Sequence, residues 1–142
     1  MIEHIFSAVC SRTSVDSDTN SVSLFNIVEQ INIYSENEIP GIVPIYLEIF
    51  SEWVRSENST PCSGKMRVFV CDPNNECKQQ AELAIDLRQA TFFRTRVRSN
   101  AIEYKGPGRY TFTIELLQDD GSTWERVASL PLIIEIEKNH SK

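Results

Sequence analysis

The stretch Ile42-Val43-Pro44-Ile45-Tyr46-Leu47-Glu48-Ile49-Phe50-Ser51-Glu52-Trp53-Val54 decides the fold, because its apolar residues recur with period two. Val43, Ile45, Leu47, Ile49 and Trp53 fall on one side of an extended chain; Tyr46, Glu48, Phe50 and Glu52 fall on the other. The spacing predicts a strand with the first set turned to a core and the second to solvent.

Working outward, the same alternation recurs. Residues 2 to 10 and 22 to 34 read as strands on either side of the polar run Ser14-Val15-Asp16-Ser17-Asp18-Thr19-Asn20-Ser21. Met66, Val68 and Val70 alternate with Lys65, Arg67 and Phe69 before Asp72-Pro73-Asn74-Asn75, a sequence built for a turn. Leu83, Ile85 and Leu87 form another inward face, Phe93 and Val97 a further one, and Tyr110, Phe112, Ile114 and Leu116 another. Asp119-Asp120-Gly121-Ser122 turns the chain into a last strand carrying Leu130, Leu132, Ile134 and Ile136. No segment of helical length favours helical spacing. About eight strands at short intervals predict an all-β antiparallel two-sheet sandwich. It spans 1–137 as one domain, with 138–142 as a polar tail.

Composition is consistent with this. The 142 residues are 41% hydrophobic and 24% charged, which is enough to bury a core without staples and excludes disordered or collagen-like classes. The opening Met1-Ile2-Glu3-His4-Ile5-Phe6 is no signal peptide, and no apolar run is long enough to span a bilayer as a helix. The expected location is the cytoplasm, without a membrane anchor, with Cys10, Cys62, Cys71 and Cys77 reduced. The net charge of −6 argues against whole-surface binding of nucleic acid.

Candidate chemistry fails on spacing. Asp16, Asp18 and Asn20 begin like a calcium loop, but Ser21 stands where the turn glycine is needed and Ile27 where the closing Glu belongs. A hairpin turn accounts for them. The gaps between Cys62, Cys71 and Cys77 miss the short pairs of zinc sites. His4 and Cys10 lie about 20 Å apart along a strand, too far for a base and its nucleophile. His140 falls in the tail. Gly106-Pro107-Gly108 lacks the strand-to-helix setting of a phosphate loop. Glu48 with Glu52, and Glu82 with Asp86, sit on solvent faces and nominate no acid and base. No enzyme, cofactor or metal is expected.

Two surface features remain. Tyr46, Phe50, Phe69 and Phe92 share outward parity and are expected to form an apolar patch. Residues 88–109 carry Arg88, Arg94, Arg96, Arg98, Lys105 and Arg109 against Glu103 alone, a basic strand in an acidic protein. Arg94, Arg96 and Arg98 form a stripe. A tight turn at residues 89–91 would set Asp86 opposite Arg94 and Glu82 opposite Arg98, leaving Arg96 without a partner. The leading expectation is a non-catalytic interaction module binding a protein partner, or itself, through this aromatic and Arg-bearing sheet face. The alternatives are a sandwich recognising an anionic small molecule, polysaccharide or nucleic acid by the stripe, and an enzyme with loop-borne residues.

The chain also resembles an uncharacterised family of bacterial single-domain β-sandwich proteins. The matching features are the opening strand ending near Cys10, Ser23-Leu24-Phe25-Asn26-Ile27, Ile39-Pro40, Val70-Cys71-Asp72-Pro73, Pro107-Gly108-Arg109-Tyr110-Thr111-Phe112 and Leu130-Pro131-Leu132. The resemblance runs from about residue 3 to 137 and implies an immunoglobulin-like or related sandwich, with no activity to carry over. The polar loop around Asn58 and Pro61 is longer than it implies.

Overall fold

A computed structural model describes residues 1–34, 41–56 and 60–137. The polar tail at 138–142 with His140, the Ile39-Pro40 step and Asn58 lie outside the described residues. Period-two alternation becomes nine strands among them: β1 (Ile2–Val15), β2 (Val22–Ile27), β3 (Gln30–Tyr34), β4 (Ile42–Arg55), β5 (Cys62–Cys71), β6 (Cys77–Leu87), β7 (Phe92–Glu103), β8 (Gly108–Gln118) and β9 (Glu125–Glu137). They form a four-stranded sheet in the order β2-β1-β4-β7 and a five-stranded sheet in the order β3-β9-β8-β5-β6.

The expected strand at 22–34 is two strands in two sheets. Asn26 has a φ of 53°, a left-handed conformation that asparagine tolerates, and the chain bends there. Two backbone hydrogen bonds then hand it from one sheet to the other: Val28 N–H donates to Val9 O at 2.8 Å, and Ile133 N–H donates to Glu29 O at 2.9 Å. From that point β3 runs parallel to β9. The four-stranded sheet is antiparallel, as expected, but the five-stranded sheet is mixed.

The core lies between the sheets. Leu47, Ile49 and Trp53 of β4 meet Met66 and Val68 of β5 and Ile114 of β8, all 1% exposed or less. Each such side chain contributes roughly 1.5–3 kcal/mol by leaving water. Trp53 donates its indole N–H to Thr95 Oγ1 at 3.0 Å, so its polar edge is also satisfied. Gly64 on β5 has a packing role, because a Cβ there would stand 2.6 Å from Leu117 O and 2.8 Å from Ile2 Cδ1.

The cysteines depart from the all-reduced expectation. Cys71 and Cys77 face each other across the β5–β6 hairpin and form a disulfide, while Cys10 and Cys62 are free thiols. The turn between them pre-sets this register: Asp72 Oδ1 accepts the backbone N–H of Asn74 and Glu76 at 2.8 and 3.0 Å, and Asn75 takes a φ of 63°. The reduced state expected from a cytoplasmic location therefore does not hold for Cys71 and Cys77. No helix among the described residues is long and apolar enough to cross a membrane. Thiol titration of denatured, unreduced protein is expected to count the two thiols of Cys10 and Cys62. A count of four would remove the bridge.

Candidate functional site

The outer face of the four-stranded sheet carries most of the residues singled out in the sequence. Pairing of β4 with β7 sets Glu48 opposite Arg98, Phe50 opposite Arg96 and Glu52 opposite Arg94. The expected pairing of Arg94 and Arg98 with Asp86 and Glu82 is therefore corrected. β6 and β7 belong to different sheets, and the carboxylates facing the stripe come from β4. Asp86 is bound by Arg88, whose hydrogen bonds hold its carboxyl down at about 2.

The stripe is engaged from within the chain. Arg94 Nε lies 3.8 Å from Glu52 Oε1 while its Nη2 donates to Asn20 O at 2.7 Å. Arg96 Nη1 donates to Thr13 Oγ1 at 3.0 Å, and Arg98 Nε lies 3.6 Å from Glu48 Oε1. Thr13 and Asn20 belong to the far half of the β1–β2 hairpin, so this hairpin lies against the sheet face and the arginines hold it there. Asp16 shapes its tip by accepting the N–H groups of Asp18 and Thr19 at 2.8 and 3.0 Å.

Beneath the hairpin, Glu48 is only 3% exposed. Its oxygens accept from Thr13 Oγ1 at 2.8 Å and from Tyr46 OH at 2.7 Å. Burial pushes the carboxyl up, but these two hydrogen bonds and the charges of Arg98 and Arg96 outweigh it and hold the group below its ordinary value. The same bond raises the Tyr46 hydroxyl.

The expected aromatic patch does not assemble. Phe50 has outward parity yet is 0% exposed, with its ring 5.5 Å from Phe6. Phe69 lies on β5 in the other sheet, half-buried with the Arg67 guanidinium 4.9 Å above its ring. Arg67 also caps Trp124 at 4.1 Å and bonds Glu115 at 2.6 Å. Only Tyr46 and Phe92 of the four are exposed on the outer face of the four-stranded sheet.

A different surface gathers apolar side chains. β1 pairs with β2 only from Cys10 onward, so on the side away from β4 its run from Glu3 to Ala8 has no strand partner among the described residues. Across from it, β9 pairs with β3 only from Ile133 onward. A cleft of about 580 Å³ is seated elsewhere, by Ile102 and Phe112, but the one of about 570 Å³ along this opening is lined by Phe6, Val9, Ile27, Leu130, Pro131 and Ile133. Ile5, Phe6 and Ile27, 46%, 37% and 59% exposed, stand along β1 and at the end of β2. Arg109 and Glu29 also line this cleft.

The nearest approach to catalytic geometry is also on β1. His4 Nε2 and Ser7 Oγ are 2.6 Å apart, Ser7 Oγ is 2.7 Å from Ser51 Oγ, and the His4 ring meets Trp53 edge-on at 5.2 Å. Burial lowers the imidazole pKa. The pair satisfies polar groups beside the core, and among the described residues no hydrogen-bonded carboxylate orients the ring. Sequence reading paired His4 only with Cys10. It also passed over Ile5, Phe6 and Ile27, which stand where β2 has stopped pairing with β1, and counted Arg109 only as part of the basic run.

No protein-family model and no curated protein matches the chain. Among solved structures, a family 123 glycoside hydrolase from Clostridium perfringens is similar over 97% of this chain and 28% of its own length, with 9% identity and a TM-score of 0.46. The chain thus spans little more than a quarter of that protein, and a likeness at this level carries no functional argument.

Proposed function

We propose that the domain is a non-catalytic interaction module that docks a protein partner along the flank of β1. The observation that supports it is the coincidence of a strand run, Glu3 to Ala8, whose side away from β4 has no strand partner among the described residues, with the exposed side chains of Ile5, Phe6 and Ile27. Exposed apolar side chains gathered at one edge are what an interface core requires. The scaffold is read as an immunoglobulin-related sandwich. Tyr110, at the start of β8, supports this reading: its hydroxyl donates to Gly106 O at 2.7 Å and accepts Lys105 N–H at 2.8 Å, the corner arrangement of such folds.

Anion binding by the Arg stripe is the weaker reading, because Arg94, Arg96 and Arg98 already hold the hairpin and the β4 carboxylates. The double variant Ile5→Lys, Ile27→Asp tests the flank. Both side chains are exposed, at 46% and 59%, so its melting temperature should stay close to the parent's. A protein retained by the immobilised parent should be lost by the double variant and kept by Arg96→Ala. Retention by the double variant together with loss by Arg96→Ala would move the docking surface to the sheet face.

A further inference from the structure

We propose that the flank receives an extended peptide, which adds as a strand to β1 beside Glu3 to Ala8 and places a carboxylate on Arg109; this rests on the interaction reading above. A strand edge offers backbone N–H and C=O groups at fixed intervals, and another extended backbone matches them. The run is bounded at both ends by bonds the chain makes to itself. At its start, the Gln118 side-chain amide clamps Ile2, accepting its N–H at 2.9 Å and donating to its carbonyl at 2.8 Å. At its far end, Val9 O accepts the Val28 N–H. Between these points the described residues supply no strand.

The occupant's character follows from its surroundings. The chain's own β2 and β3 already run along the adjoining part of this opening, so the space between the sheets admits a strand there. Edges that avoid partners carry lysine, proline or a bulge; the run from Glu3 to Ala8 has neither lysine nor proline, and its one register shift precedes Phe6. A bulge between His4 and Phe6 breaks the ladder with β4, and Ile5 stands out at 46% exposure. On the opposite wall Pro131 has no N–H to give, which leaves β1 as the edge that bonds the peptide. Val9, Leu130 and Ile133 line the floor and select apolar side chains at alternate positions. Glu29 and Arg109 both line the cleft, but Arg109 is exposed and forms no ion pair with Glu29 or any other carboxylate among the described residues, which leaves it to an acidic group at the end of the peptide beside Ala8.

The probe is a synthetic peptide of alternating valine and threonine closed by one aspartate, titrated to millimolar concentration into isotope-labelled protein while backbone amide resonances are followed. Saturable shifts should appear at Glu3 to Ala8 and around Leu130, and spare β7. Arg109→Ala should weaken binding about tenfold, the loss of one charge-assisted contact. A peptide methylated on alternate backbone nitrogens should not bind. Equal binding of the methylated peptide would overturn strand addition while leaving the flank as the docking surface. Absence of any saturable shift, or shifts confined to β4 and β7, would overturn the peptide assignment. Concentration-dependent shifts at Glu3 to Ala8 without peptide would assign the edge to a second copy of the chain and overturn it equally.

Discussion

Phe50→Asp is expected to lower the stability of the domain by about 4 kcal/mol, a large share of the roughly 5–15 kcal/mol that holds such a domain folded. Outward parity on β4 suggested a surface residue whose replacement would weaken only partner binding. The structure makes it a second, smaller core on the outer face of the sheet. The ring is 0% exposed, tilted at 49° against Phe6 and flanked along its strand by Glu48 and Glu52. An aspartate would leave a cavity and bring a third carboxylate onto the face, offset only in part by Arg96 across the ladder. Urea denaturation reads the effect as a fall in midpoint at constant slope. Phe92→Asp is the control: with its side chain 58% exposed on the same face, it should stay within about 0.5 kcal/mol of the parent. Equal midpoints for Phe50→Asp and the parent would mean that the ring is not enclosed.

These two phenylalanines show what alternation reports. Period two tells which side of a strand a residue is on, and β4 and β8 were legible because one side is apolar, interrupted on β4 only by Ser51. It does not tell what lies over the polar side. Phe50 is enclosed beside Phe6, on a face to which the β1–β2 hairpin is bonded through Thr13 and Asn20, residues far away in sequence in a run that reads as an ordinary turn. Strand order is similarly hidden. β6 and β7 are consecutive, and pairing neighbours is the natural expectation, yet the chain changes sheet between them and Arg94 and Arg98 meet Glu52 and Glu48 instead of Asp86 and Glu82. The split at Asn26 left a faint signal, since asparagine inside an apolar run suits a left-handed bend. Cys71 and Cys77 were the more readable pair. A turn of Asp72-Pro73-Asn74-Asn75 between two strands sets its flanking residues opposite each other, and a compartment argument overrode that geometry.

Glu48→Ala should cost about 2–3 kcal/mol, and Glu48→Gln about 1 kcal/mol. The carboxylate is the point where the hairpin, β4 and β7 meet, through Thr13, Tyr46 and Arg98. Alanine removes the common acceptor and leaves the half-buried Thr13 hydroxyl facing Arg96 alone. Removing one member of a buried ion pair commonly costs more, but Arg98 is 59% exposed and regains water when its partner goes. Glutamine keeps an acceptor oxygen for one hydroxyl and gives up the charge. The parent also acquires a pH dependence that neither variant shares. Glu48 is held below its ordinary value in the folded protein, so the unfolded chain binds the proton more readily. Its contribution is therefore complete above the unfolded carboxyl's pKa and is lost as pH falls through the folded one. Between about pH 5 and pH 3 the parent's denaturation midpoint should fall more steeply than that of Glu48→Gln, and the gap between them should narrow. Parallel pH profiles for the two proteins would show that the charge of Glu48 contributes nothing, and that Thr13 and Tyr46 hold the hairpin through neutral hydrogen bonds.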